Sequence, residues 1–338
     1  MGRTFDILFV TNLPSFYKIN LYNEIARRKK IFVIYTGDTA ECRNNDFFNV
    51  KMQFGSLFLY SNKLLRLLQI LYVIKTFSYE KIIIGGWDSL PMWLSAFISP
   101  KRKNALVVES SYLESAIDGF KGIMKKVFVS RISIVYASGK SQKKLTDNLG
   151  FKGKTVITRG VGIFNYSEQP QYVSRDEVKN FIYVGRLVDV KNLPFLINVF
   201  NKLPNLRLNI IGFGKQEQYL KTISNKNIKF YGAIDNKELR KYYQENDVFI
   251  LPSKSEPWGL VVEEALNSGL PVLVSDKVGC AEEIVNESNG LIFKYDSEED
   301  LLQKIRQITD INYYNKLRKN ISKLDFKTIE LEQIKSYL

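Results

Sequence analysis

The feature that most limits the fold is a regular alternation along the whole chain: short apolar runs of strand type trade places with stretches of helical spacing. Strand runs fall at residues 6–11, 31–35, 81–84, 105–109, 134–137 and 155–158, with helical spacing over 21–30, 63–77, 91–98, 122–130 and 141–148. After residue 180 the pattern restarts. Strand runs then occupy 180–184, 207–211, 228–231, 248–251 and 271–274, and helices 193–203, 217–223 and 236–246. Strands separated by helices pair in parallel, so the expected class is α/β. At 338 residues the chain exceeds one comfortable core. The polar stretch 160–180, with Pro170, is the expected linker. It would join two doubly wound, Rossmann-like domains, residues 1–165 and 166–338, facing across a cleft, with the last helix packing back on the first domain.

Apolar content of 45% with 25% charged residues indicates a globular chain. Cys42 and Cys280 are too few and too far apart for a disulfide framework or a zinc site, which fits a reducing cytoplasm. The opening MGRTFDILFVTN reads as a first strand rather than a signal peptide, and no run approaches the ~18 apolar residues of a membrane span.

Charge is placed unevenly. Residues 1–170 hold 25 Lys and Arg against 12 Asp and Glu, a net +13, while 171–338 hold 24 against 23, a net +1. The first half is therefore the one expected to meet an anion. Its basic groups interleave with apolar helical stretches at 57–77 and 120–128, as in a segment that lies on an anionic membrane surface. Core-facing helices with solvated lysines would show the same pattern. Basic balance also leaves a nucleic-acid-binding protein as an alternative, although no nucleic-acid motif is evident and no nucleic-acid partner is expected.

The most informative stretch is 253–276, SKSEPWGLVVEEALNSGLPVLVSD. Pro257 suits a first helical position, and Trp258, Val261, Val262, Ala265 and Leu266 follow helical spacing until Gly269 stops it. A helix start leaves backbone N–H groups of Gly259 to Val261 for a phosphate. Glu256 precedes the helix, and Glu264 lies seven residues after Pro257. That is roughly 10 Å along the axis, about the span of a diphosphate. One carboxylate is then placed to hold sugar hydroxyls and the other a ribose diol, although two solvated helix charges would show the same spacing.

Ligands of open α/β sheets bind in loops at the carboxyl ends of strands. In the second half these loops include Gly185-Arg186-Leu187 with Lys191 nearby, Gly212-Phe213-Gly214, and Gly232-Ala233-Ile234. Arg186 and Lys191 are suited to clamp a diphosphate and neutralise a departing nucleotide. Taken in order, YVGRLVDVKNL at 183–193, IIGFG at 210–214, FYG at 230–232 and the stretch 251–276 resemble the family-4 retaining glycosyltransferases of the GT-B fold, strongly over 181 to about 305. The resemblance implies that Glu264 holds the ribose and Glu256 the donor sugar or its phosphate side. Gly259 and Leu260 would hold the phosphate, Arg186 and Lys191 the diphosphate, and Ile234 would lie beside the base. Gly185, Gly212, Gly214 and Trp258 belong to the same donor site. The implied reaction moves a hexose from a UDP- or GDP-sugar to an acceptor hydroxyl with retention, without cofactor or metal; no Asp-x-Asp pair follows a strand.

The first half departs from the pattern, because family members commonly use a histidine there and this chain has none. Its first loop, where many family members have a glycine-rich turn, carries Asn12 and Tyr17. Asp88 and Glu109, each just after a strand run, are candidates to position or deprotonate an acceptor hydroxyl, with Trp87 and Tyr112 to stack on sugar faces. The net +13 points to a lipid-linked glycan acceptor of bacterial surface polysaccharide (O-antigen or capsule), reached by peripheral binding at the inner face of the plasma membrane. A sugar-nucleotide epimerase shares this architecture and is the second alternative; nucleotide release separates the two.

Overall fold

The computed structural model describes residues 3–37, 45–48, 50–112 and 114–338; Cys42 lies outside them. The chain forms two compact units, Met1–Ile163 with Thr328–Leu338, and Phe164–Lys327.

The first unit is built on seven strands: β1 Thr4–Thr11, β2 Ile31–Tyr35, β3 Gly55–Phe58, β4 Ser78–Ile84, β5 Asn104–Val108, β6 Ile134–Ala137 and β7 Lys154–Ile157. They pair in parallel in the order β3-β2-β1-β4-β5-β6-β7. Side chains alternate across the pleat. Leu8, Val10, Ile82, Ile84, Leu106 and Val135 build the core on one face. Ile7, Phe9, Val33, Ile83 and Tyr136 build it on the other. Ile334 and Tyr337, from the helix Phe326–Tyr337, complete the second core, where Tyr337 stacks on Tyr136 at 4.7 Å between ring centroids.

The second unit has six strands: β8 Asn180–Val184, β9 Arg207–Ile211, β10 Ile228–Gly232, β11 Val248–Leu251, β12 Val272–Ser275 and β13 Gly290–Phe293. They too are parallel, in the order β10-β9-β8-β11-β12-β13. Strand order reverses between β1 and β4 in the first sheet and between β8 and β11 in the second. At such switch points neighbouring loops diverge and leave room for a ligand. The fold is GT-B, as expected from the sequence.

Three local readings change. The apolar stretch 57–77 is not one helix: it opens in edge strand β3, and the helix Lys63–Thr76 begins after Asn62, whose side chain caps the N–H groups of Leu64 and Leu65. The first helix is Phe16–Ala26 rather than 21–30. The polar stretch after residue 163 is bound rather than loose, since Ser167 exchanges hydrogen bonds with the Asn267 side chain at 3.1 and 2.9 Å.

Candidate active site

At the carboxyl ends of β8 to β10 three glycine turns interlock. The Gly185 N–H donates to the Ile211 carbonyl at 3.0 Å, Gly212 N–H to Gly232 at 2.8 Å, and Leu187 N–H to Phe213 at 2.9 Å. A Cβ on Gly212 would lie 1.9 Å from the Gly185 oxygen, and one on Gly214 2.4 Å from the Leu187 oxygen. Only glycine fits either position, and the result is bare backbone that a ligand can approach.

Arg186 stands on this surface, half-buried. Tyr183 fixes the turn from inside by donating its hydroxyl to the Arg186 carbonyl at 2.9 Å. The guanidinium itself forms no ion pair or hydrogen bond among the described residues. Lys191 ends a single turn of 3-10 helix, Asp189–Lys191, and is buried. Its ammonium pairs with the Glu256 carboxylate, the two side chains being 11% and 14% exposed. Thus Arg186 follows β8 and Glu256 follows β11, on either side of the switch point.

The segment leading into the next helix corrects the sequence reading. Glu256 N–H donates to the Lys277 carbonyl at 3.1 Å, Gly279 N–H to Glu256 at 2.8 Å, and Cys280 N–H to Trp258 at 2.9 Å. These bonds hold residues 256–258 beside the loop after β12, so Pro257 is not the first helical residue. Gly259 turns the chain with φ 102°, and the helix runs Leu260–Asn267. Glu264 is therefore about 6 Å along the axis from the helix start, not 10 Å. Tertiary pairing has overridden the preference of proline for a first helical position.

Glu264 accepts a hydrogen bond from the Tyr243 hydroxyl at 3.3 Å and lines a small polar pocket with Asn165, Ser167, Asn236 and Arg240. Burial of its carboxyl raises the pKa to about 7. Its neighbour Glu263 is buried, accepts the Trp258 indole N–H at 2.7 Å, and is raised to about 8, by burial first and by the nearby Glu264. The Trp258 side chain is only 2% exposed, so it supports the loop from inside. Ile234 lies half-buried in the loop after β10. Sequence reasoning missed Glu263 and Tyr243. The signal for Glu263 was present, because a buried indole N–H needs an acceptor.

In the first unit, a different residue joins the expected ones. Lys18 is buried, its ammonium 3.0 Å from Glu109 and 3.5 Å from the Asn12 side-chain oxygen. Burial opposes its charge, yet Glu109, with Tyr17 and Tyr22, holds its pKa above the ordinary lysine value. Asn12 and Glu109 therefore meet through Lys18, beside Tyr17 in sequence. The other candidates are elsewhere occupied. Trp87 lies under the Lys125 ammonium at 5.4 Å with Phe128 edge-on, and Tyr112 lies under Lys144 at 4.7 Å. Asp88 is exposed.

Residues 166–324 match the family model for the glycosyl transferases group 1. A Klebsiella pneumoniae relative described as an uncharacterized 41.2 kDa protein in the cps region is 26% identical over 72% of this chain and 74% of its own length. The Escherichia coli O-antigen biosynthesis glycosyltransferase WbnH is 31% identical over 56% of this chain; the match spans 54% of that protein, about half its length. Among solved structures, Anabaena HepE in complex with UDP-glucose superposes with a TM-score of 0.72, at 15% identity, over 98% of this chain and 99% of that one. Together these support a glycosyltransferase of the GT-B fold.

Proposed function

We propose that the chain is a retaining, metal-independent glycosyltransferase that moves a hexose-type sugar from a UDP- or GDP-sugar to a glycan acceptor in O-antigen or capsule synthesis. The observation that carries this reading is the Lys191–Glu256 pair beside a helix whose fifth residue is Glu264, next to an unpaired Arg186.

The chemistry follows from charge. When the bond between the anomeric carbon and the diphosphate breaks, the acceptor hydroxyl oxygen takes its place and gives its proton to the departing diphosphate, on which negative charge gathers. Arg186 is free to receive it, and Lys191 turns from Glu256 to the phosphate, leaving the Glu256 carboxylate to accept sugar hydroxyls. The N–H groups at Leu260 lack intrahelical partners and add the positive end of the helix dipole. These groups fill the role a metal ion plays in other transferases. Glu264 accepts the ribose diol; because those hydroxyls bond best to the ionised carboxylate, donor binding favours its deprotonation. Lys18 and Glu109 are the acceptor-side groups that take the place of the missing histidine.

The acceptor we propose is lipid-linked, met by peripheral binding to an anionic membrane at the cytoplasmic face. No helix of the described residues is long and apolar enough to cross a membrane. Yet the helix Gly119–Val129 turns Phe120, 77% exposed, and Ile123, 59% exposed, outward among Lys121, Lys125 and Lys126. On the helix Lys63–Thr76, Leu64, Leu68 and Tyr72 share one exposed face. Outward apolar residues flanked by lysines are what an interfacial helix presents to acidic lipid.

The test is a thermal-shift panel of UDP-, GDP-, ADP- and dTDP-sugars on the wild type and Glu264→Gln. A UDP- or GDP-sugar is expected to raise the midpoint, since it binds only the folded state, and the variant to blunt the rise. No shift with any donor, or an equal shift in the variant, rejects the assignment.

A further inference from the structure

The second sheet leaves open a face that its architecture should cover. Parallel sheets are normally buried on both sides. On one side of β9 and β10 this holds, with Leu208, Ile210 and Ile228 buried. The alternate residues on the other side are Arg207, Asn209, Lys229 and Tyr231, none of them buried. A groove of about 1070 Å³ lies over them, bounded by Tyr242, Glu245 and Asn246 at the end of the helix Asn236–Gln244. It opens at the amino ends of the strands, where Asn180 and Arg207 are first residues of β8 and β9. The glycine turns occupy the opposite ends, so this is not the donor site.

The floor is preorganised. Tyr231 donates its hydroxyl to the Asn209 oxygen at 3.4 Å, and the Asn209 amide donates to Asn246 at 2.6 Å. Pairing slips by one residue at Tyr231, since Phe230 faces Ile210 while Gly232 faces Ile211. Such a bulge re-aims a side chain. Four cations line the groove, Lys179, Arg207, Lys226 and Lys229, against the single carboxylate of Glu245. Lys179 is paired with Glu177, whereas Arg207 and Lys226 are exposed and form no ion pair among the described residues.

We propose that this groove is a second binding site, for an acidic oligosaccharide. Carboxamides and tyrosine hydroxyls suit sugar hydroxyls, and unpaired cations suit the carboxylate or phosphate of an acidic sugar. A single-stranded nucleic acid needs aromatic faces free for base stacking. Here the Lys229 ammonium sits 4.6 Å from the Tyr231 ring centre, and Tyr242 meets that ring edge-on, at 5.5 Å and 76°. The inference stands on these residues and does not depend on the donor assignment.

Fluorescence anisotropy of the full chain with a labelled oligogalacturonide tests it, beside a neutral maltooligosaccharide of equal length and a single-stranded RNA. The charge reversals Arg207→Glu and Lys229→Glu sit at exposed positions, and circular dichroism checks that each variant is folded. The acidic saccharide is expected to bind, the neutral one not, and each reversal to weaken binding about tenfold or more. Equal binding of the two saccharides, absence of binding, variants that bind as the wild type does, or RNA binding in preference through the same residues would each overturn the proposal.

Discussion

Replacing Lys191 by Met separates what the Lys191–Glu256 pair does for folding from what it does for the reaction. Both side chains are nearly enclosed, 11% and 14% exposed, so removing the ammonium leaves an uncompensated carboxylate away from water. Breaking a buried pair from one side costs about 3 kcal/mol at the lower end of the usual range, which the slight exposure favours here. Each kcal/mol moves the melting temperature of a unit of this size by roughly 2–4 °C, so Lys191→Met should melt about 6–12 °C below the wild type. The double variant Lys191→Met/Glu256→Gln removes both charges and should recover most of that loss, because an apolar and amide pair has no charge left unpaired. Transfer, followed as nucleotide release from the donor the panel identifies, should stay abolished in both, since neither has the cation for the diphosphate. Scanning calorimetry and a coupled release assay give the two readings. If Lys191→Met melts like the wild type, the energetic argument is wrong. If the double variant regains transfer, the proposed role of Lys191 on the diphosphate is wrong.

The buried carboxyls predict a pH dependence. In the folded state Glu263 keeps its proton up to about pH 8, whereas the unfolded chain releases it near 4.5. The folded state therefore binds more protons between these values. Its contribution to stability is full below about 4.5 and falls as pH rises to about 8, by an amount of the order of 5 kcal/mol. Glu263→Gln should flatten the plot of urea midpoint against pH in that window, leaving the slope due to Glu264 up to about pH 7; parallel curves for variant and wild type would refute the assignment. At the exposed helix Gly119–Val129, Ile123→Asp should abolish flotation with vesicles rich in phosphatidylglycerol without changing the melting temperature; a wild type that does not float with them removes the membrane reading.

The α/β class was legible because the strands in the middle of each sheet are buried on both faces and so appear as unbroken apolar runs, as in Ile82 to Ile84 or Phe249 to Leu251. Strand β3 was not legible. It is an edge strand, GSLF, half-exposed along its length, and its apolar residues merged by eye with the helix that follows. The glycine turns, Arg186, Lys191 and the two glutamates were readable as a linear pattern. Their pairing was not, since Lys191 meets Glu256 across 65 residues and Lys18 meets Glu109 across the sheet. Nor could local preference show that Glu256 to Trp258 stays outside the helix, which is decided by the loop after β12.

Residues 328–338 have a consequence for how the protein is made. The second unit is one continuous stretch, Phe164–Lys327, whereas the first is finished only when Ile334 and Tyr337 reach the core around Phe9 and Tyr136. The first 163 residues leave the ribosome early, yet the unit they build still lacks part of its interior at that stage. The first unit therefore cannot complete its interior until residues 328–338 are made, and a message cut short after codon 327 leaves that core open.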